Sequence, residues 1–192
     1  MLFRSGELIL PDLADSTNTV RHLVVGAGKD GNIYLVNRDS MGKFSASSNN
    51  IWQQLSGALP GGIWSTPAYF NGTLYYGDSG ATLKAFAFTN AKLGSSPTSQ
   101  SPTQFPSPGT APAISANGTS NGIVWTHQNT SPQAVLHAYD ATNLAHELYN
   151  SSQAANNRDQ FGAGNKFITP TIADGKVFVG TQNSVAVFGL LQ

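Results

Sequence analysis

Short apolar runs recur along the chain in pairs, each pair joined by a few turn-forming residues. Leu23-Val24-Val25-Gly26 is followed by a turn and then Asn32-Ile33-Tyr34-Leu35-Val36. Leu74-Tyr75-Tyr76-Gly77 is followed by Asp78-Ser79-Gly80 and Thr82-Leu83-Lys84-Ala85-Phe86. Ile123-Val124-Trp125-Thr126 leads through a longer turn to Val135-Leu136-His137-Ala138-Tyr139-Asp140, and Val177-Phe178-Val179-Gly180 leads through Thr181-Gln182-Asn183 to Ser184-Val185-Ala186-Val187-Phe188. Runs of this length, rich in β-branched and aromatic residues and bounded by Gly, Asn and Asp, predict strands joined as hairpins. Taking Ile33, Leu83, Leu136 and Val185 as equivalent, the spacing is 50, 53 and 49 residues.

A small residue, a proline and a short apolar stretch precede three of these hairpins: Ser65-Thr66-Pro67-Ala68-Tyr69, Thr110-Ala111-Pro112-Ala113-Ile114 and Ile168-Thr169-Pro170-Thr171-Ile172. Proline is tolerated where a strand begins, because its missing N–H breaks no ladder there. Leu8-Ile9-Leu10-Pro11-Asp12 holds the matching place in the first unit. A weaker fourth strand follows the first three hairpins, at Ile51–Leu55, Thr103–Phe105 and His146–Tyr149. Four antiparallel strands in about 50 residues is the signature of a propeller blade. The predicted fold is an all-β β-propeller of about four consecutive four-stranded antiparallel blades, at 6–56, 64–106, 109–150 and 166–192, in a single unit spanning 1–192. The middle strands are apolar almost throughout, as expected if neighbouring blades cover both their faces. The last blade lacks an outer strand. Either Leu2-Phe3 fills that place or its partner lies upstream of the chain, and two chains pairing into an eight-bladed ring is one way to complete the fold.

Gly26, Gly28 and Gly31 form G-x-G-x-x-G. A dinucleotide fingerprint needs a helix directly after the glycines, since the helix N-terminus holds the phosphate charge. The residues that follow, Asn32-Ile33-Tyr34-Leu35-Val36, predict a strand instead. Gly77 and Gly180 stand where Gly26 does in their own repeats, and Asp30-Gly31 is a hairpin turn signal. The glycines punctuate a repeat.

Composition narrows the function classes. Charged residues are 10 % of the 192, and Lys plus Arg (10) balances Asp plus Glu (10). Nucleic acid is not an expected partner, because phosphate binding needs a concentrated basic surface. The absence of cysteine excludes disulfides, thiolate metal sites and cysteine nucleophiles. No apolar run approaches the roughly 20 residues a bilayer span requires. The start, Met1-Leu2-Phe3-Arg4-Ser5-Gly6-Glu7, lacks the apolar core of a signal peptide. It reads as interior sequence behind a start methionine, so the chain is expected to be a fragment of something longer.

The blade pattern, above all "TPTIADGKVFVGTQNSVAVFGLL", resembles the quinoprotein-type (pyrroloquinoline-quinone repeat) β-propeller. "GAGKDGNIYLVNRD", "SPGTAPAISANGTSNGIVWTHQ" and "LHAYDATNLAHELYNS" are similar to the C-terminal half of bacterial exported proteins that carry such repeats. The resemblance implies an extracytoplasmic location, periplasmic or secreted. It implies a non-catalytic scaffold or binding domain that takes a protein partner or self-associates. Its enzymatic branch implies part of an alcohol or sugar dehydrogenase using pyrroloquinoline quinone and calcium, completed by other sequence or a second chain. That branch stacks its quinone on a tryptophan and uses carboxylate and amide ligands for calcium. No acidic pair here matches those ligands residue by residue, so no catalytic and no metal residue is carried over.

Four residues are the candidates for ligand binding. Trp64 follows the turn Pro60-Gly61-Gly62 and enters an innermost strand, where it is either a stacking platform or inter-blade packing. Arg158, Asp159 and Lys166 lie in "NNRDQFGAGNKFITPT", either a polar loop at the propeller mouth or a solvated loop with a local Arg–Asp pair. Asp140 is read as a turn cap. His22, His127, His137 and His146 show no zinc spacing, and no nucleophile motif is present. Residues 92–110, rich in Pro and Ser, are read as an excursion carrying the outer strand of the second blade.

Overall fold

The computed structural model of the chain describes residues 6–189. It is 48 % strand and 2 % helical, an all-β protein built of antiparallel sheets. The chain opens with β1 (Leu8–Ile9), then a small hairpin of β2 (Leu13–Ala14) and β3 (Val20–Arg21), then β4 (Leu23–Ala27), β5 (Ile33–Asn37) and β6 (Gln53–Leu55). The first sheet has the order β1-β4-β5-β6. The second contains β7 (Ala68–Phe70), β8 (Thr73–Gly77) and β9 (Ala81–Thr89), with β10 (Lys92–Leu93) and β11 (Ser99–Phe105) both pairing with β9. The third runs β12 (Ala113–Asn117), β13 (Ser120–Gln128), β14 (Val135–Asp140), β15 (Asn143–Asn150), and the fourth runs β16 (Thr171–Ala173), β17 (Lys176–Gly180), β18 (Val185–Phe188). Among the described residues the fourth sheet has three strands. Leu2-Phe3, the sequence candidate for its missing strand, lies outside the described residues.

Local chemistry explains these elements. β4 and β5 pair from Ala27↔Ile33 to Leu23↔Asn37, and Gly31 takes φ +74° in the turn between them. No helix follows Gly31, as the residues after it required. Pro67, Pro112 and Pro170 each sit directly before the first strand of a sheet, β7, β12 and β16. The proline-rich stretch is ordered and carries β11, which starts at Ser99, four residues earlier than the pattern suggested.

Three apolar clusters lie between successive sheets. Leu23, Val25 and Leu35 meet Leu74, Tyr76 and Phe86 at the first junction. Tyr75, Leu83 and Phe105 meet Val124, Tyr139 and Leu144 at the second. Leu136 and Trp125 meet Val177, Val179, Ile172 and Phe188 at the third. The adjacent Tyr75 and Tyr76 of β8 point to opposite faces, so both faces of that strand are covered. Burying such a side chain is worth about 1.5–3 kcal/mol, which is why β8 shows no polar alternation.

The outward face of the fourth sheet is bare. Val185 is 62 % exposed and Val187 54 %. At the other end of the run Ile9 is 69 % exposed, while Val24 and Val36 beside it are half-buried.

Candidate functional site

The loops that cross from one sheet to the next are knitted to the hairpin turns of the sheets they join. Leu59 N–H donates to Gly31 O, Ile63 N–H to Gly28 O, Thr110 N–H to Gly77 O and Gly164 N–H to Thr130 O. All these loops therefore gather at one end of the sheets. Asp78, fully buried in the turn after β8, accepts from Lys84 Nζ at 2.5 Å and from Gly61 N–H at 3.2 Å. The crossing loop is thus tied through Gly61 N–H to the carboxylate of a buried ion pair in the second sheet.

Trp64 lies on this loop end, half-buried, with Lys29 Nζ 4.0 Å from its ring centroid. That is a cation–π contact. A dimple of about 10 Å³ beside it is lined by Trp64, Ser65, Thr110, His127 and Phe167. It has room for roughly one water molecule. Phe167 is 64 % exposed and has φ +65°, a left-handed conformation that costs a bulky side chain strain. His127 is buried. Its Nε2 lies 3.0 Å from Asn165 O, its Nδ1 has no hydrogen-bond partner among the described residues, and burial holds its pKa below the ordinary histidine value.

Arg158 and Asp159 lie at a different hollow. Arg158 Nε and Nη2 donate to the two Asp159 oxygens at 2.7 and 2.9 Å, and Tyr149 Oη–H donates to Asp159 Oδ2 at 2.6 Å. The Arg158 guanidinium, followed by the Tyr149 hydroxyl, lowers the Asp159 pKa to about 2. Burial, reinforced by Asp159, raises that of Tyr149. These side chains rim a cavity of about 730 Å³ between the third and fourth sheets, floored by Trp125, Phe161, Val177 and Phe188. Phe161 and Phe188 meet edge to face at 5.3 Å.

The four residues singled out in the sequence therefore do not share one site. Arg158 and Asp159 share the cavity, Trp64 lines the dimple, and Lys166 lines neither. Asp140 caps its turn by accepting from Thr142 N–H and Oγ1–H at 2.8 and 2.7 Å. Sequence reasoning missed the aromatic floor, because Trp125, Phe161 and Phe188 come from three separate segments. The short fourth sheet was the one available signal that space would open there.

No protein-family model and no curated protein matches the chain. Solved structures do resemble it in fold. The computationally designed protein Ika4 is 14 % identical at TM-score 0.55, covering 98 % of this chain and 91 % of its own. The computationally designed Ika8 is 13 % identical at TM-score 0.54, over 88 % of this chain and 43 % of its own. BamB from Moraxella catarrhalis is 12 % identical at TM-score 0.54, over 97 % of this chain and 50 % of its own. The likeness supports a β-propeller. This propeller-like chain spans about half the length or less of Ika8 and BamB, and nearly all of Ika4.

The residues present fit poorly the groups that the quinoprotein resemblance implies. Among the described residues no three His, Asp or Glu side chains gather as a metal donor set for calcium. The dimple at Trp64 is far smaller than a quinone, and Lys29 stands over the indole.

Proposed function

We propose that this protein is a non-catalytic binding scaffold: four consecutive propeller blades, the last short of its outer strand, belonging to a larger exported quinoprotein-like assembly. The observation that carries this reading is how the charged groups on the hairpin turns and crossing loops are used. Asp78 is held by Lys84 and Gly61, Asp159 by Arg158 and Tyr149, and Lys29 by the Trp64 ring. They fix loops in place rather than converge on a space where a substrate would sit. The exported location and the blade boundaries at 6–56, 64–106, 109–150 and 166–192 come from the sequence resemblance and repeat.

The bare faces of the first and fourth sheets support self-association, a second copy covering both ends and completing a larger ring. Each internal junction already joins two sheet faces of this kind. Two measurements test the proposal together. Light scattering at micromolar concentration should give twice the chain mass. Adding pyrroloquinoline quinone and calcium should give no thermal shift and no dye-linked oxidation of alcohols or glucose. A stoichiometric quinone complex with turnover would replace the scaffold by the dehydrogenase reading.

A further inference from the structure

We infer that the open edge of β18, with the aromatic cavity beside it, is an acceptor groove for an extended peptide strand that carries a large apolar side chain. The inference deepens the scaffold reading and rests on it, by naming the class of partner.

The edge is set by hydrogen-bond alternation. Thr181 N–H donates to Ser184 O at 2.8 Å, which makes Thr181 and Ser184 a hydrogen-bonded pair. In an antiparallel ladder such pairs alternate with non-bonded ones. With Val179↔Ala186 and Val177↔Phe188 next in register, the backbones of Ser184, Ala186 and Phe188 face β17. Those of Val185 and Val187 therefore present their N–H and C=O groups outward. Among the described residues no strand pairs with them.

In each of the first three sheets the same edge is filled. β6 lies on β5, β11 on β9 and β15 on β14. Each of those outer strands also packs an apolar side chain at the junction core: Leu55 against the first cluster, Phe105 and Leu144 within the second. Beside β18 the corresponding space is the cavity of about 730 Å³, floored by Trp125, Phe161 and Phe188. An open ladder edge and an apolar cavity along one strand are the two elements of strand addition. Main-chain bonds give affinity, and a pocket for alternate side chains gives specificity. The occupant thus continues an interface that the chain builds three times within itself. It is a strand of four or more residues, matching Val185–Phe188, with a Leu- or Phe-sized residue at a position facing the cavity.

The test titrates the 192-residue protein with a dye-labelled peptide of the β15 sequence, Asn-Leu-Ala-His-Glu-Leu-Tyr-Asn, followed by fluorescence anisotropy. Saturable 1:1 binding is expected, together with slower hydrogen exchange at the Val185 and Val187 amides. The same peptide N-methylated at alternate residues should not bind. Val187→Pro removes an outward amide that no described strand uses, and it should weaken binding about tenfold or more. Ala186→Trp fills the cavity instead of touching the edge and should weaken binding similarly, so it keeps the test decisive if Val187→Pro unfolds the sheet.

No saturable binding up to about 1 mM, or binding indifferent to both substitutions, overturns the inference. So does a dimer in which the Val185 and Val187 amides are already protected without peptide, since the groove would then belong to a second copy. Quinone turnover would end the scaffold reading without altering the titration. A flat titration without turnover ends the groove alone.

Discussion

Asp78 has no solvent exposure, and its carboxylate is met by the Lys84 ammonium and the Gly61 amide. Removing one partner of a buried pair leaves the other charge uncompensated, which typically costs about 3–5 kcal/mol. Lys84→Met should therefore lower stability by about that amount in denaturant unfolding, and loosen the loop at Gly61. A loss well under about 1 kcal/mol would mean that water reaches the carboxylate. His127 and His137 lend the molecule a pH dependence. Burial lowers both pKa values, against an opposing pull from the Asn165 carbonyl on His127 and from Glu147 on His137. The unfolded chain then binds protons more readily than the folded one, so stability is complete above the ordinary histidine value of about 6.5 and is lost as pH falls below it. The Tm should drop between about pH 7.5 and about pH 5, and His127→Gln should flatten part of that slope. At this scale the sequence carried the turn chemistry of Gly31 and Asp140 but not the histidines. Spacing rules out a zinc motif, yet it says nothing of which imidazole is buried.

Strands differ in how many of their faces are covered. β8 lies between two neighbours, with Leu74 and Tyr76 on one side and Tyr75 on the other, all buried. β17 buries Val177 and Val179 on one side only, and Phe178 on the other remains half-buried. Local opening free energy follows such burial. At a dilution where light scattering gives the single-chain mass, amides of β8 should thus exchange with deuterium far more slowly than those of β17, read residue by residue by exchange quenched and followed by NMR. Equal protection would imply that the outward face of the fourth sheet is covered in solution. The hairpins and innermost strands were legible in the sequence because apolar runs and turn residues alternate there without ambiguity. The β2–β3 hairpin was not. Its strands are two residues long and rest on Asp15, whose side chain accepts from Thr17 N–H, Thr19 N–H and Arg21. A hairpin held by one carboxylate leaves almost no hydrophobic pattern. The outer strands β11 and β15 were read too short for a related reason: they are partly exposed and carry polar residues such as Gln100 and Asn143, whereas β6 begins two residues later than the pattern suggested.

Apart from the small β2–β3 hairpin, the described residues form a run of four sheets whose ends differ from its middle. Ile9 at one end and Val185 and Val187 at the other remain exposed, where every internal face of this kind is covered. If association occurs through these faces, Ile9→Lys should shift the light-scattering mass toward the single chain, while a surface change such as Ser47→Lys should not. A mass insensitive to Ile9→Lys would place any association elsewhere. The repeat of about 50 residues made the all-β, propeller-like arrangement visible in the sequence. The cavity was hidden, because it depends on how far apart two neighbouring sheets stand, and no single segment encodes that distance.

Each junction also has its own polar fastening. Trp52 Nε1–H donates to Ala91 O, and Gln53 exchanges two hydrogen bonds with Leu93 across the first. Tyr75 Oη–H donates to Ala141 O, and Ser99 Oγ accepts from Leu144 N–H across the second. Ala134 N–H donates to Gly162 O and Gly164 N–H to Thr130 O across the third. A chain of look-alike units is at risk of docking in the wrong sequence as it emerges and collapses. At the first two joints the fastenings use different side chains, so a unit docked there on the wrong neighbour would leave the Trp52, Gln53 and Tyr75 polar groups without these acceptors and donors, a cost that favours the native order.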